Sequence, residues 1–286
     1  MSNNNVGCAT ASWVSVISFV IFTMIYFSFL KPARTIADLL SVDAQQQFHS
    51  KNMRSLALYV LLVVFSQLMC NMWYLSCKCG GLMFGKNIAA VASLYTLIPW
   101  FLIFAVVIGI LLVFPGFKRA FSDVIGYFAV ASSANELFSS IFIGSDLSDK
   151  INATSNPVER QQLTKAAEAI LKIVGNRSIL INKMTIDNFL EIWDTLRPLM
   201  LPEIANNDAE VKQKVFDLVV LKDNIGEGLW YLYTSVLISS IVYYNLATRG
   251  CVKSVEQIKA DHEAYKAQQQ AVDEKAEVNN STTYQT

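Results

Sequence analysis

The chain has 286 residues, 53% of them apolar, 12% aromatic and only 16% charged, a balance too greasy for a soluble globular domain of this length. Its 23 basic residues match its 23 acidic ones, which removes any whole-chain electrostatic case for binding nucleic acid. Four apolar runs, 12–30, 53–75, 89–114 and 229–246, are each long enough to cross a hydrocarbon core of about 30 Å at about 1.5 Å per residue. The expected fold is all-α: a multi-pass helical membrane protein of four or five spans, with a small helical extramembrane domain and a polar helical tail.

Residues 1–144 form the expected N-terminal membrane region. The first span, 12–30, has no basic segment before it and no small-residue cleavage pattern after it, so it reads as a retained span and not a signal peptide. Met1-Ser2 lacks the glycine that N-myristoylation requires. Tyr26, Phe27 and Phe29, followed by Lys31, Pro32 and Arg34, make an aromatic and basic border suited to headgroup level. The second span begins after Lys51 and Arg54 and finishes near Trp73, Tyr74 and Lys78. Pro99 interrupts the third span beside Trp100 and predicts a kink or a restart there, and Pro115-Gly116 stops that span.

Residues 120–143 are a candidate fifth span, burdened by Asp123, Asn135 and Glu136, each expensive in hydrocarbon. On a helix, Ser132, Asn135, Glu136 and Ser139 share one face. Two readings follow: an intramembrane carboxylate lining an ion or proton path, or a helix packed on its neighbours or lying at the interface. Basic residues set the topology. The 31–54 loop holds four Lys or Arg against two around Cys77–Lys86, which favours a cytosolic first loop and an outer N-terminus. If 120–143 crosses, 144–228 lies outside and the tail is cytosolic; if it stays at the surface, the two exchange sides.

Residues 145–228 are the expected extramembrane domain. Asn156, Pro157 and Glu159 mark a helix start that Gly175 ends, a second helix is predicted from Thr185 to Pro198, and a third from about Asp208 to Leu221. The last span, 229–246, carries Trp230, Tyr231 and Tyr233 at one end and Tyr243, Tyr244 and Arg249 at the other. In the polar tail, 247–286, Ile258, Tyr265 and Val272 recur every seven residues, a thin stripe for docking, before a frayed end.

The pattern of reactive residues is sparse. His49 and His262 stand apart from cysteines and carboxylate pairs at metal-ligand spacing, and phosphate loops, serine elbows and HExxH are absent. No catalytic residue, metal or cofactor is therefore expected, and the chain is not read as an enzyme. Cys77 and Cys79 at a membrane border are candidates for lipidation, or for pairing with another cysteine if their loop is lumenal. Asn152 and Asn176 head glycosylation sequons that matter only if 145–228 is lumenal. Ala- and Ser-bearing faces in the third and last spans can pack within one chain or between copies, so a homo-oligomer is open.

One stretch carries a likeness. Ile98-Pro99-Trp100-Phe101-Leu102-Ile103-Phe104, then Phe114-Pro115-Gly116-Phe117, Phe121-Ser122-Asp123 and Gly126-Tyr127 resemble a signature in multi-pass inner-membrane or minor capsid proteins of nucleocytoplasmic large DNA viruses. The resemblance is confined to residues 98–127. It implies a structural virion protein in an internal membrane derived from host endoplasmic reticulum, anchoring that bilayer to the capsid or to other minor capsid proteins through its extramembrane helices. The alternative from the residues themselves is a small ion channel or transporter with Glu136 and Asn135 lining the path.

Overall fold

The structure, a computed structural model, describes residues 4–79, 83–142, 178–197, 200–251, 258–260, 262–270 and 272. The chain enters through α1 (Asn4–Ile25), which widens into a π turn at Tyr26–Leu30 and ends as Lys31 adopts extended backbone. Pro32 is the cause, because proline crowds the residue before it out of the helical region. Next comes α2 (Val42–Cys79), whose 38 residues reach about 57 Å, far more than a bilayer core needs. Its polar first turns therefore project beyond the apolar part.

The third pass is α3 (Lys86–Pro99), a π turn at Trp100–Phe104, and α4 (Ala105–Val113). The interruption expected at Pro99 takes the form of that π turn, and the helix continues. Proline removes one donor and crowds the preceding turn, and a wider turn absorbs both effects. After the stop at Phe114–Phe117, a single turn (Arg119–Phe121) and a π turn (Ser122–Gly126) lead into α5 (Tyr127–Ile141). Short helices α6 (Ile179–Lys183), α7 (Phe189–Leu196) and α8 (Pro202–Asn206) precede α9 (Ala209–Thr248), a single helix of 40 residues. The third helix expected in 145–228 and the last span are thus one rod. The helix expected from Thr185 begins at Phe189, because Thr185 and Asn188 exchange backbone-to-side-chain hydrogen bonds that hold the chain in a turn. The helix expected over 156–175 lies outside the described residues.

The chain is an all-α multi-pass membrane protein, with four helical passes long and apolar enough to cross a bilayer: Trp13–Leu30, Val42–Cys79, Lys86–Val113 and Ala209–Thr248. Leu61, Phe65, Val106 and Val236 are more than half exposed on the outside of this bundle, where lipid tails would meet them. Inside it, Phe19, Tyr26, Tyr59, Trp100, Phe104 and Tyr231 form an aromatic column to which every pass contributes. Tyr59 stacks on Tyr26 at 4.5 Å and on Tyr231 at 5.7 Å between ring centroids. Polar pairs join the passes elsewhere: Gln67 donates to the Ser15 carbonyl (2.8 Å) and Asn71 to Thr96 Oγ1 (2.8 Å), satisfying amides that hydrocarbon could not.

A second core lies beyond one end of the bundle. Phe138 and Ile141 of α5, Phe189 and Trp193 of α7, and Val215 and Phe216 of α9 close it, with Ile36 and Leu39 of the first loop packed against them. The backbone N–H of Ile36 also donates to Gln213 Oε1 (3.3 Å), so residues 31–54 and the helices of 178–228 occupy the same side. Residues 120–142 are not among the four described helices long and apolar enough to cross a bilayer, and they pack against protein along one face. The buried face of α5 (Val130, Ala134, Phe138, Ile141) belongs to this second core, and the outward face of the π turn and α5 together changes from Val124, Ile125 and Phe128 to Ser132, Ser133, Asn135 and Glu136. In hydrocarbon that outward polar row would have no partners.

Candidate functional site: a charged junction at the bundle's edge

Three segments converge where the two cores meet: Lys31 to Arg34 after the first pass, Lys118 to Asp123 after the third, and Lys222 to Tyr231 in the middle of α9. Glu227 is the centre. One carboxylate oxygen accepts from Lys31 (3.1 Å) and Lys118 (3.0 Å), and the other from the Tyr231 hydroxyl (2.8 Å). Lys31 also donates to Asn224 (2.8 Å), and Lys118 to Asp223 (3.2 Å). The Lys31, Lys118 and Glu227 side chains are only 12%, 16% and 9% exposed, so these pairs are shielded from water and salt. Burial by itself would lower Lys118, but Glu227 and Asp223 outweigh it and hold its ammonium above the ordinary lysine range. Lys31 goes the other way: burial lowers it, and Lys118 beside it adds repulsion that Glu227 does not fully offset.

Lys222, one turn earlier on α9, is 3% exposed and caps a helix end. Its ammonium donates to the carbonyls of Ile181 (3.0 Å) and Met184 (3.1 Å), orphan acceptors at the end of α6, and to Asp123 (3.2 Å). Two glycines let the backbones come this close. A Cβ on Gly126 would lie 2.6 Å from the Lys222 carbonyl oxygen, and one on Gly226 would lie 2.6 Å from Ser122 Cβ and 2.9 Å from the Lys118 carbonyl oxygen. Trp230 closes the junction on the bundle side by donating to the Phe117 carbonyl (2.8 Å).

The residues singled out in the sequence end up in separate places. Asp123 is part of the junction, paired with Lys222 and with Arg119 (3.1 Å). Asn135 and Glu136 are exposed on the outer face of α5 and are not brought to Asp123 or to any bundle interior. Lipidation at Cys79 is corrected: its sulfur is joined to Cys251, so no thiol is left to acylate, and Cys77 is also disulfide-bonded. Cys70, inside the bundle, is a free thiol 3.8 Å from Ser18 Oγ. Asn152 and Asn176 lie outside the described residues. The tail stripe is helical where described, and Ile258, Tyr265 and Val272 are exposed.

The bundle's other end is fastened as well. Lys78 donates to the carbonyls of Leu246 (2.9 Å), Ala247 (2.7 Å) and Arg249 (2.7 Å), closing the end of α9 next to the Cys79–Cys251 disulfide. Among the described residues, no group of three or more His, Cys, Asp or Glu could hold a metal ion. The arrangement neutralises charge and fixes helix positions. No family model, curated protein or solved structure matches the chain.

Proposed function

We propose that this protein is a structural membrane anchor whose extramembrane helices hold neighbouring proteins at a fixed height and angle above the bilayer. The observation that carries the reading is α9, one unbroken helix that contributes Tyr231, Ile238 and Val242 to the bundle core and Val215, Phe216 and Val219 to the second core. A stiff rod clamped at its midpoint by the Glu227 junction transmits force between the two cores and leaves little play. In the setting implied by the sequence resemblance, the bilayer is an internal virion membrane and the partners are the capsid or other minor capsid proteins. The side bearing Lys31, Arg34, Lys51, Arg54, Lys118 and Arg119 is then cytosolic by charge, and the disulfides fall on the opposite side, which suits an oxidising lumen.

The transport alternative draws no support from the geometry, because Glu136 and Asn135 point away from every packed interface of the described residues. Cross-linking mass spectrometry on membranes or particles from the native source tests the anchor. The exposed Lys183 and Lys214 are expected to join coat proteins. Links confined to this chain and its copies would remove the anchoring role.

A further inference from the structure

A cavity of about 660 Å³ opens beside the junction, and the anchoring role makes no use of it. It runs from Leu111 and Leu112, in the last turn of α4, to Asp187 in the turn before α7, so it spans the level at which the apolar bundle gives way to the second core. One end of its wall is hydrocarbon and the other is polar.

Two residues on that wall carry polar atoms that protein covers without satisfying. Arg34 Nε and Asn52 Oδ1 are buried without a hydrogen-bond partner, one a donor and the other an acceptor. The remaining lining cations are engaged: Lys118 with Asp223 and Glu227, and Lys222 and Arg119 with Asp123. Arg34 forms no ion pair among the described residues, and its guanidinium carbon sits 5.0 Å over the ring of Phe48, which fixes its plane. Burial lowers the Arg34 guanidinium from its ordinary range, with Asp187, Asp223 and Asp38 offsetting part of the effect.

We propose that this cavity binds the headgroup of a phosphodiester membrane lipid whose headgroup carries hydrogen-bond donors, of the ethanolamine or glycerol kind. The phosphate would accept from the Arg34 guanidinium, the headgroup amine or hydroxyl would donate to the Asp187 carboxylate, and the glycerol backbone would lie toward Leu111 and Leu112. Asp187 and Asp223 on the same wall disfavour a doubly charged phosphomonoester and suit a headgroup that carries a donor beyond its phosphate. A basic pocket between helices at the border is where such headgroups are held. The inference is independent of which proteins the extramembrane helices hold.

The test uses the purified full chain in detergent, with native mass spectrometry to count bound phosphatidylethanolamine, phosphatidylglycerol and phosphatidylcholine of matched acyl chains. The donor-bearing lipids are expected to outcompete phosphatidylcholine, whose headgroup has no donor, and Arg34→Gln is expected to weaken them by roughly tenfold or more. Lys214→Gln, a change at an exposed surface lysine, should alter nothing. Glycerophosphoethanolamine, the soluble headgroup alone, should bind far more weakly; equal binding would make the ligand a soluble phosphoester and overturn the lipid assignment. Because Arg34→Gln could disturb folding, a photoactivatable phosphatidylethanolamine is also applied to the unaltered protein. Adducts concentrated in 34–52 and 111–119 support the site, and adducts spread evenly over the four passes, or equal retention of all three lipids, overturn it.

Discussion

Replacing Glu227 by Gln removes one charge and little volume, and the structure assigns the consequence to named groups. Lys31 and Lys118 would remain where they are, 12% and 16% exposed, with no carboxylate between them. Removing one partner of a buried ion pair costs about 3–5 kcal/mol, because the other charge stays desolvated. Asp223 still holds Lys118 and Asn224 still holds Lys31, which places the loss at the lower end, about 3 kcal/mol. In a chain of this size that lowers Tm by about 6–12 °C. The assay is thermal unfolding of the purified protein in one fixed detergent. The double variant Glu227→Gln with Lys31→Met removes an orphaned ammonium as well, and should recover about 1–2 kcal/mol relative to the sum of the singles. If the two single changes add without coupling, the three groups do not act as one buried unit and the clamp on α9 is refuted.

Other parts of the fold make separate predictions. Gly226→Ala forces a methyl group against Ser122 and the Lys118 carbonyl and should cost about 1–3 kcal/mol, whereas Gly109→Ala, with nothing within 4 Å of the added atom, should be harmless or mildly stabilising in the same melt. Chain cleaved by protease between residues 79 and 251 should run as one species on a non-reducing gel and as two after reduction, and Cys251→Ser should release the fragments without reductant. Lys118 has a folded pKa above the ordinary 10.5, so its stabilisation is complete below that value and is lost as pH rises through the higher folded one. The stability gap between Lys118→Met and the parent should accordingly be flat from roughly pH 7 to 9 and shrink only at stronger alkali, and a gap that closes near neutrality would contradict the assignment.

The passes were legible because lipid imposes one demand on every residue of a span, and apolar length meets it openly. The junction was harder to see. Lys222, Asp223 and Glu227 precede an apolar run and read as the end of a loop; their meaning comes from Lys31 and Lys118, which are distant in sequence. A signal did exist, since acidic residues at helical spacing next to one border faced lysines at two others. The 120–143 segment stayed open between a pass and a packed helix for a physical reason: α5 buries Val130, Ala134, Phe138 and Ile141 against protein, while Phe128 and, in the π turn before it, Val124 and Ile125 lie outside, so both faces raise its hydropathy. The disulfide between Cys79 and Cys251 could not be read from spacing, because 172 residues separate the two cysteines.

The central claim is that one rigid rod joins four passes to a second core on a single side, and side-specific cysteine labelling in sealed vesicles tests it most directly. The background has Cys70 replaced by Ser and the disulfide cysteines kept. Single cysteines are placed at Gln46, in the exposed start of α2, and at Glu203, in α8. Membrane-impermeant maleimide should reach both from the same side and reach one at the exposed Tyr265 only from the other. Labelling of Gln46 and Glu203 from opposite sides would mean that the segment between them crosses the bilayer once more, and the shared second core, with the anchor built on it, would be wrong.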